Sequence, residues 1–234
     1  MTEFTTWRSL VDGAEISAIR DSVVTQYEYE DESDTTVAVD SIGNNDATIT
    51  GAAYTSSDAI VGDFSLRHDG TDDVTVSENT VDLVALGDAD GFELSAYINL
   101  DGTSDSDGYL FAWSSSPDSD TQPGVGLQER DDSVRTILTV DGNNTIGNEV
   151  SVSLTDNIHA SVQVTQSDIT LYLNNIAEDT TSHSEDITNI GAQEYRTGHA
   201  GVSPEYANLI IDDFSAASEP LSDSERQSLV DRGN

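Results

Sequence analysis

The stretch Phe92-Glu93-Leu94-Ser95-Ala96-Tyr97-Ile98-Asn99-Leu100 sets an apolar side chain at every second position. A period of two belongs to a β-strand that turns one face to a core. The same alternation returns in Val23-Val24-Thr25-Gln26-Tyr27-Glu28-Tyr29-Glu30, in Asp73-Val74-Thr75-Val76, in Ala160-Ser161-Val162-Gln163-Val164-Thr165 and in Ile169-Thr170-Leu171-Tyr172-Leu173-Asn174. Turn-forming residues separate such runs at Ile42-Gly43-Asn44-Asn45, Asp69-Gly70, Asp101-Gly102, Asp107-Gly108 and Asn174-Asn175. Residues 136–146, with Asp141-Gly142-Asn143-Asn144 at their centre, predict a hairpin. Many short strands with one apolar face each need a second sheet to cover them, so the pattern predicts an all-β sandwich of two antiparallel sheets. At 234 residues one such domain accounts for the chain.

Two segments depart from the period of two. Trp7, Leu10, Val11, Ala14 and Ala18 form a loose helical stripe broken by Gly13, which reads as an N-terminal arm over residues 1–20, a docking segment ahead of a domain at 21–234. Near the end, residues 222–230 follow Glu219-Pro220-Leu221 and predict a short helix capped by Ser222 or Asp223.

Charge is the strongest compositional signal. Forty-five Asp and Glu face eight basic residues, all arginine, for a formal net charge of -37 and no lysine. Such a chain repels itself in dilute buffer, where the Debye length is about 10 Å at 0.1 M, and is relieved at 1 M, where it is about 3 Å. The acids are spread among strand-like runs and not gathered in one block, which argues for a folded, salt-adapted protein over a disordered acidic tail. With no basic cluster, nucleic acid is excluded as a partner, and so is an anionic membrane surface. There is no cysteine, hence no disulfide framework and no thiol nucleophile. His68, His159, His183 and His199 lack metal-ligand spacing and read as surface or turn residues. The opening residues lack a basic n-region, a long apolar run and a twin-Arg pair, so membrane insertion and export are not expected.

Three collinear blocks resemble the laminin G-like, concanavalin A-like jelly-roll family. The first is Tyr27-Glu28-Tyr29-Glu30-Asp31 followed by Val39-Asp40-Ser41-Ile42-Gly43-Asn44-Asn45-Asp46. The second is Phe64-Ser65-Leu66-Arg67-His68-Asp69-Gly70-Thr71-Asp72-Asp73-Val74-Thr75-Val76 with the 92–98 strand. The third is Leu171-Tyr172-Leu173-Asn174-Asn175, then Ile210-Ile211-Asp212-Asp213-Phe214, then Leu221-Ser222-Asp223-Ser224-Glu225-Arg226. The resemblance spans about residues 21–230 and implies a two-sheet antiparallel jelly roll. His68 stands where the family usually has Phe, and Tyr27 where it often has Trp. From calcium-binding members it implies one Ca²⁺ held by Asp40, Asn45 and Asp212, with Asp72 beside them. Ca²⁺ takes six to eight hard oxygen ligands, which loop carboxylates and carbonyls supply. A competing reading makes Asp69-Gly70-Thr71-Asp72-Asp73 a plain tight turn whose side chains cap backbone donors.

Other chemistry finds less support. Residues 103–114 lack the Asp and Glu that an EF-hand loop needs at its first and twelfth positions. Glu28-Tyr29-Glu30-Asp31-Glu32 lacks the ExDxxE spacing of jelly-roll glucanases, and no GxSxG, HExxH or P-loop occurs. No catalytic residue is assigned. A binder of glycans needs an aromatic platform beside planar polar groups, and Trp113, next to the 114–116 serines, and Tyr109 are the candidates.

Together these readings predict a non-enzymatic, lectin-like virion surface protein of a halophilic archaeal virus: a capsid turret, head decoration or tail fibre. It would be made in the host cytoplasm, dock to other virion proteins through residues 1–20, adhere to a host surface glycan or glycoprotein, and form a trimer or pentamer. A cellular haloarchaeal carbohydrate-binding module or sugar-processing protein is the alternative.

The charge generates a first prediction. The chain should melt cooperatively in molar KCl and lose tertiary structure on transfer to salt-free buffer, followed by near-UV circular dichroism; a salt-independent melting temperature would remove the salt-adapted reading.

Overall fold

The computed structural model describes residues 22–30, 35–71, 74–87, 90–100, 108–114, 123–130, 132–153, 156–198 and 207–233. The helical stripe at 7–20 lies outside them. Among the described residues seventeen strands form two sheets, of eight and nine strands, and every pair is antiparallel. The eight-stranded sheet runs β15 (Ile176–Ser182), β14 (Asp168–Leu173), β13 (Ile158–Thr165), β7 (Gly91–Leu100), β17 (Asn208–Ala217), β5 (Ser65–Asp69) and β4 (Ala53–Thr55), with β1 (Val23–Tyr27) also on β17. The nine-stranded sheet runs β11 (Asn143–Ile146), β10 (Ser133–Val140), β9 (Gly124–Arg130), β8 (Tyr109–Ser114), β16 (Tyr195–Thr197), β6 (Val74–Ser77), β3 (Ala47–Thr50) and β2 (Val37–Ala38), with β12 (Val150–Ser151) also on β10. The sheets pack face to face as a jelly-roll sandwich. No helix among the described residues is long and apolar enough to cross a membrane.

Alternation chooses what enters the core. Phe92, Leu94, Ala96, Ile98 and Leu100 of β7 meet Val162 and Val164 of β13 and Leu209 and Ile211 of β17 in one continuous cluster. Aromatic rings join the two sheets at its centre: Phe214 stacks on Tyr195 at 3.8 Å between centroids, with Tyr27 and Phe111 each 6.0 Å from Phe214. Phe214 reaches inward because a bulge after Asp212 adds a residue to β17, with Asp213 in the left-handed region at φ 47°. The opening strand ends earlier than its alternation predicts, at Tyr27, because Tyr29 also turns left-handed, at φ 52°.

The other face of β7 is buried too, against the simple expectation that it meets water. The C-terminal helix Asp223–Val230 covers it. Ser222 caps this helix in a reciprocal box with Glu225, as Ser followed three residues later by Glu predicts. Val23, Ala217, Leu221 and Leu229 form a second small apolar cluster beneath it. Inside this contact Arg226 Nη1 donates to Glu93 Oε2 at 2.9 Å, both side chains almost fully buried, and the guanidinium lies 3.9 Å over the Tyr172 ring. Tyr97 donates its hydroxyl to the carbonyls of Leu229 and Val230 and accepts from the Gly233 N–H.

The buried pair generates a second prediction. Arg226→Ala leaves the buried Glu93 carboxyl without its guanidinium, and should cost about 3–5 kcal/mol of unfolding free energy. Glu93→Leu combined with Arg226→Met should recover most of that loss; urea titrations in molar KCl measure both.

Candidate functional site

The loop after β2 is built around one carboxylate. Asp40 Oδ1 accepts from the backbone N–H groups of Gln26 (3.0 Å), Ile42 (3.2 Å) and Gly43 (3.0 Å), and its Oδ2 accepts from Asn45 N–H at 3.2 Å. A Cβ at Gly43 would stand 2.5 Å from Asp40 Oδ2, so a side chain there would push the carboxylate off its donors. Asn45 in turn accepts from Asn79 N–H through its side chain and from the Tyr27 hydroxyl through its carbonyl.

Asp212 is engaged by a separate set of donors. Its carboxylate accepts from Val61 N–H (2.8 Å), Ser65 Oγ (2.7 Å) and Asp213 N–H (2.8 Å), and burial pushes its pKa up to about 7. The residue nearest to linking the two loops is Gln26, whose side chain reaches Asp213 and not Asp212. Asp72 lies outside the described residues. Among the described residues no group of three or more His, Asp or Glu side chains stands ready to hold a metal. Asp40, Asn45 and Asp212 thus act as acceptors for backbone and hydroxyl donors. The Asp69-Gly70 segment is an Asx turn: Asp69 Oδ1 accepts from Thr71 N–H at 2.9 Å and Thr71 Oγ1 at 2.6 Å, with Gly70 at φ 82°.

Two histidines expected at the surface are buried. His68 points into the sandwich from β5, where its position in the alternation demands an inward side chain. His159 lies beneath the C-terminal segment, 5.0 Å edge-on to Tyr97, and burial lowers its pKa to about 3, so its ring is neutral. His199 lies outside the described residues.

Trp113 is corrected as well. It is 3% exposed, packs edge-on against Phe92 at 5.1 Å and donates Nε1–H to the Gln193 carbonyl at 3.0 Å. It is a core residue and offers no platform. Tyr109, four residues earlier on the same strand, takes the opposite face. A bulge between Tyr109 and Phe111 reverses the alternation, so Tyr109 turns outward while Phe111 and Trp113 turn in.

The outer face of the nine-stranded sheet gathers the remaining candidates in register. One row is Tyr109, Gln128 and Arg135, with Arg135 Nε donating to Gln128 Oε1 at 2.9 Å. The next is Val76, Arg196, Ala112, Gly126, Ile137 and Ile146. A third is Ser114, Gly124, Thr139 and Asn144, in which Thr139 Oγ1 donates to Asn144 Oδ1 at 2.8 Å. Glycine recurs on β9 because neighbours occupy the space a side chain would need. A Cβ at Gly126 would lie 2.9 Å from Tyr109 Cδ1, and one at Gly124 would lie 2.7 Å from Ser114 Cβ. The Tyr109 ring therefore rests against a glycine floor, half-buried, between Gln128 and Ala112.

Among the described residues, the strands of this face turn no acid outward. Within its nine strands the one carboxylate is Glu129, which turns to the core side with Leu127 and Val134 and is fully buried. The flanking acids Glu194 and Glu149 are paired with arginines.

No family model matches the sequence, and neither does a curated protein. Among solved structures the chain is similar to the botulinum neurotoxin serotype C1 binding domain (13% identity, TM-score 0.67, 92% of this chain and 53% of that one). It is similar to the binding domain of Paraclostridial Mosquitocidal Protein 1 (16% identity, TM-score 0.66, 91% and 52%) and to Trypanosoma rangeli sialidase (15% identity, TM-score 0.63, 90% and 32%). The chain spans about a third to a half of these structures. At such identities the likeness establishes a shared β-sandwich, and both binding domains and an enzyme share it.

The Asp40 loop generates a third prediction. Asp40→Ala strands four backbone donors and should cost about 3 kcal/mol, while millimolar Ca²⁺ or EDTA leaves the wild-type melting temperature unchanged in molar KCl. A calcium-dependent rise in the wild type that Asp40→Ala abolishes would reinstate a metal loop.

Proposed function

We propose that this domain is a non-enzymatic, lectin-like module that binds glycans on the outer face of its nine-stranded sheet. The observation that carries the reading is Tyr109 held against Gly126 in one row with Gln128 and Arg135. A saccharide offers C–H faces to an aromatic ring and hydroxyls to planar polar side chains, which is the combination this row supplies. Glycoside hydrolysis needs two opposed carboxylates, one kept protonated, and among the described residues the strands of this face turn none outward. Cell entry of botulinum neurotoxin type C, a structure of similar fold, is described as dependent on interaction with two ganglioside molecules, a precedent for glycan contact by a protein that contains such a sandwich.

The acidic, lysine-free composition supports a setting in molar salt. We read the module as a surface component of a halophilic archaeal virus particle, a turret, head decoration or tail fibre, docked through residues 1–20 and repeated by symmetry as a trimer or pentamer. Immunogold labelling of intact particles tests that setting, and label confined to host cells would overturn it.

Tyr109→Ala should lower glycan affinity by about two- to tenfold, since aromatic contacts of this kind contribute about 0.5–1.5 kcal/mol beyond area burial, without changing the melting temperature by more than a few degrees. A glycan array in molar KCl followed by calorimetry on the hits measures it. Hits whose affinity is indifferent to Tyr109 would place binding elsewhere, and an array without hits would leave the sandwich a purely structural part.

A further inference from the structure

We propose that the ligand is an acidic saccharide, with one sugar carboxylate seated on Arg196 and a neighbouring sugar stacked on Tyr109. This rests on the glycan-binding reading and adds the charge class of the ligand.

Arg196 is placed for the role by alternation: Tyr195 and Thr197 on either side of it are buried in the core, so its side chain leaves the opposite face. Two bonds fix its guanidinium. Nε donates to the Ser114 carbonyl at 3.1 Å and Nη2 to Glu194 Oε2 at 2.6 Å. A guanidinium has five N–H donors in a rigid plane, so three remain to receive a planar carboxylate. The two anchors hold those donors in place before a ligand arrives, which lowers the ordering cost of binding.

The distribution of charge points to the same ligand. Other arginines are spent on the fold: Arg226 on Glu93, Arg67 on Asp58, and Arg232 on Asp213 and Glu28. Arg130, Arg135 and Arg196 all leave the outer face of the nine-stranded sheet, and among the described residues Glu149 lies against the first two and Glu194 against the third. Strands that turn no acid outward would be wasted on a neutral ligand and suit one that carboxylates would repel. From the Tyr109 and Gln128 row to the Gly124 row is four residues along β9, about 13 Å at strand rise, on the order of three sugar units.

The test uses the full chain in molar KCl and a panel of uronate- and sialate-containing trisaccharides, each beside its carboxyl-reduced counterpart, by calorimetry. The acidic members should bind at least about tenfold tighter. Arg196→Gln should remove that preference and leave affinity for the reduced sugars unchanged, whereas Tyr109→Ala weakens both. Val76→Asp, which sets a carboxylate beside Arg196 in the same row, should produce the same selective loss without touching the Arg196 anchors. Equal binding of acidic and reduced sugars, or an acidic preference untouched by both Arg196→Gln and Val76→Asp, overturns the acidic class while the glycan reading stands. Binding of neither kind overturns both.

Discussion

The stacking of Phe214 on Tyr195 is the contact on which the remaining geometry depends. Phe214 belongs to the eight-stranded sheet and Tyr195 to the nine-stranded one, and their rings meet at 3.8 Å with Tyr27 5.0 Å from Tyr195. A chain of net charge -37 has little besides apolar contact to hold two sheets together, and large rings bury the most area per residue. Fixing Tyr195 inward fixes the phase of β16. Arg196 must then face out, Trp113 opposite Tyr195 must face in, and Ala112 opposite Arg196 must form part of the outer floor. The candidate site is thus the reverse side of the aromatic core, and its layout follows from the same register.

Two bulges adjust that register where strict alternation would fail. On β17 an extra residue turns Asp212 toward Val61 and Ser65 and Asp213 toward Gln26 and Arg232, and returns Phe214 to the core. On β8 the bulge before Phe111 sends Tyr109 outward although it shares parity with Trp113. Strain at Asp213, in the left-handed region, is offset by the bonds its own carboxylate receives from Gln26 and Arg232 and by the bond Asp212 beside it receives from Ser65. The β8 bulge turns outward an aromatic ring that even alternation would have hidden, while the β17 bulge seats two buried carboxylates among donors.

Local features were readable from the sequence, and features set by distant partners were not. The alternation of residues 92–100, the Asp141-Gly142 hairpin and the Ser222 cap depend on neighbours a few residues away, and all three appear in the structure. The sandwich follows from the strands' apolar faces. Trp113 was misjudged because a polar loop beside an aromatic says nothing about which face the strand presents, and the bulge that separates it from Tyr109 exists only through pairing with β9. Burial of His159 and of the polar face of β7 depends on the C-terminal helix, some sixty residues beyond β13. Asp40 and Asp212 stand in the positions the family resemblance implies for ligands, yet backbone and hydroxyl donors occupy them. One signal was available and unused: Gly124 and Gly126 alternate with Val125 and Leu127, which marks a side-chain-free strip on the face opposite the core.

An anion site on so acidic a protein raises an electrostatic objection, and the magnitudes answer it. At molar salt the Debye length is about 3 Å, so carboxylates on other faces contribute little at the outer face of the nine-stranded sheet. What remains is set by groups in contact. A planar guanidinium held at two points meets a carboxylate through charge-assisted bonds roughly twice as strong as neutral ones, and their geometry survives screening. The acids therefore serve solubility at a distance and must be kept off the strands where an anion lands. That separation is what the chain shows, with Glu129 turned inward and Glu194 held against the arginine it orients.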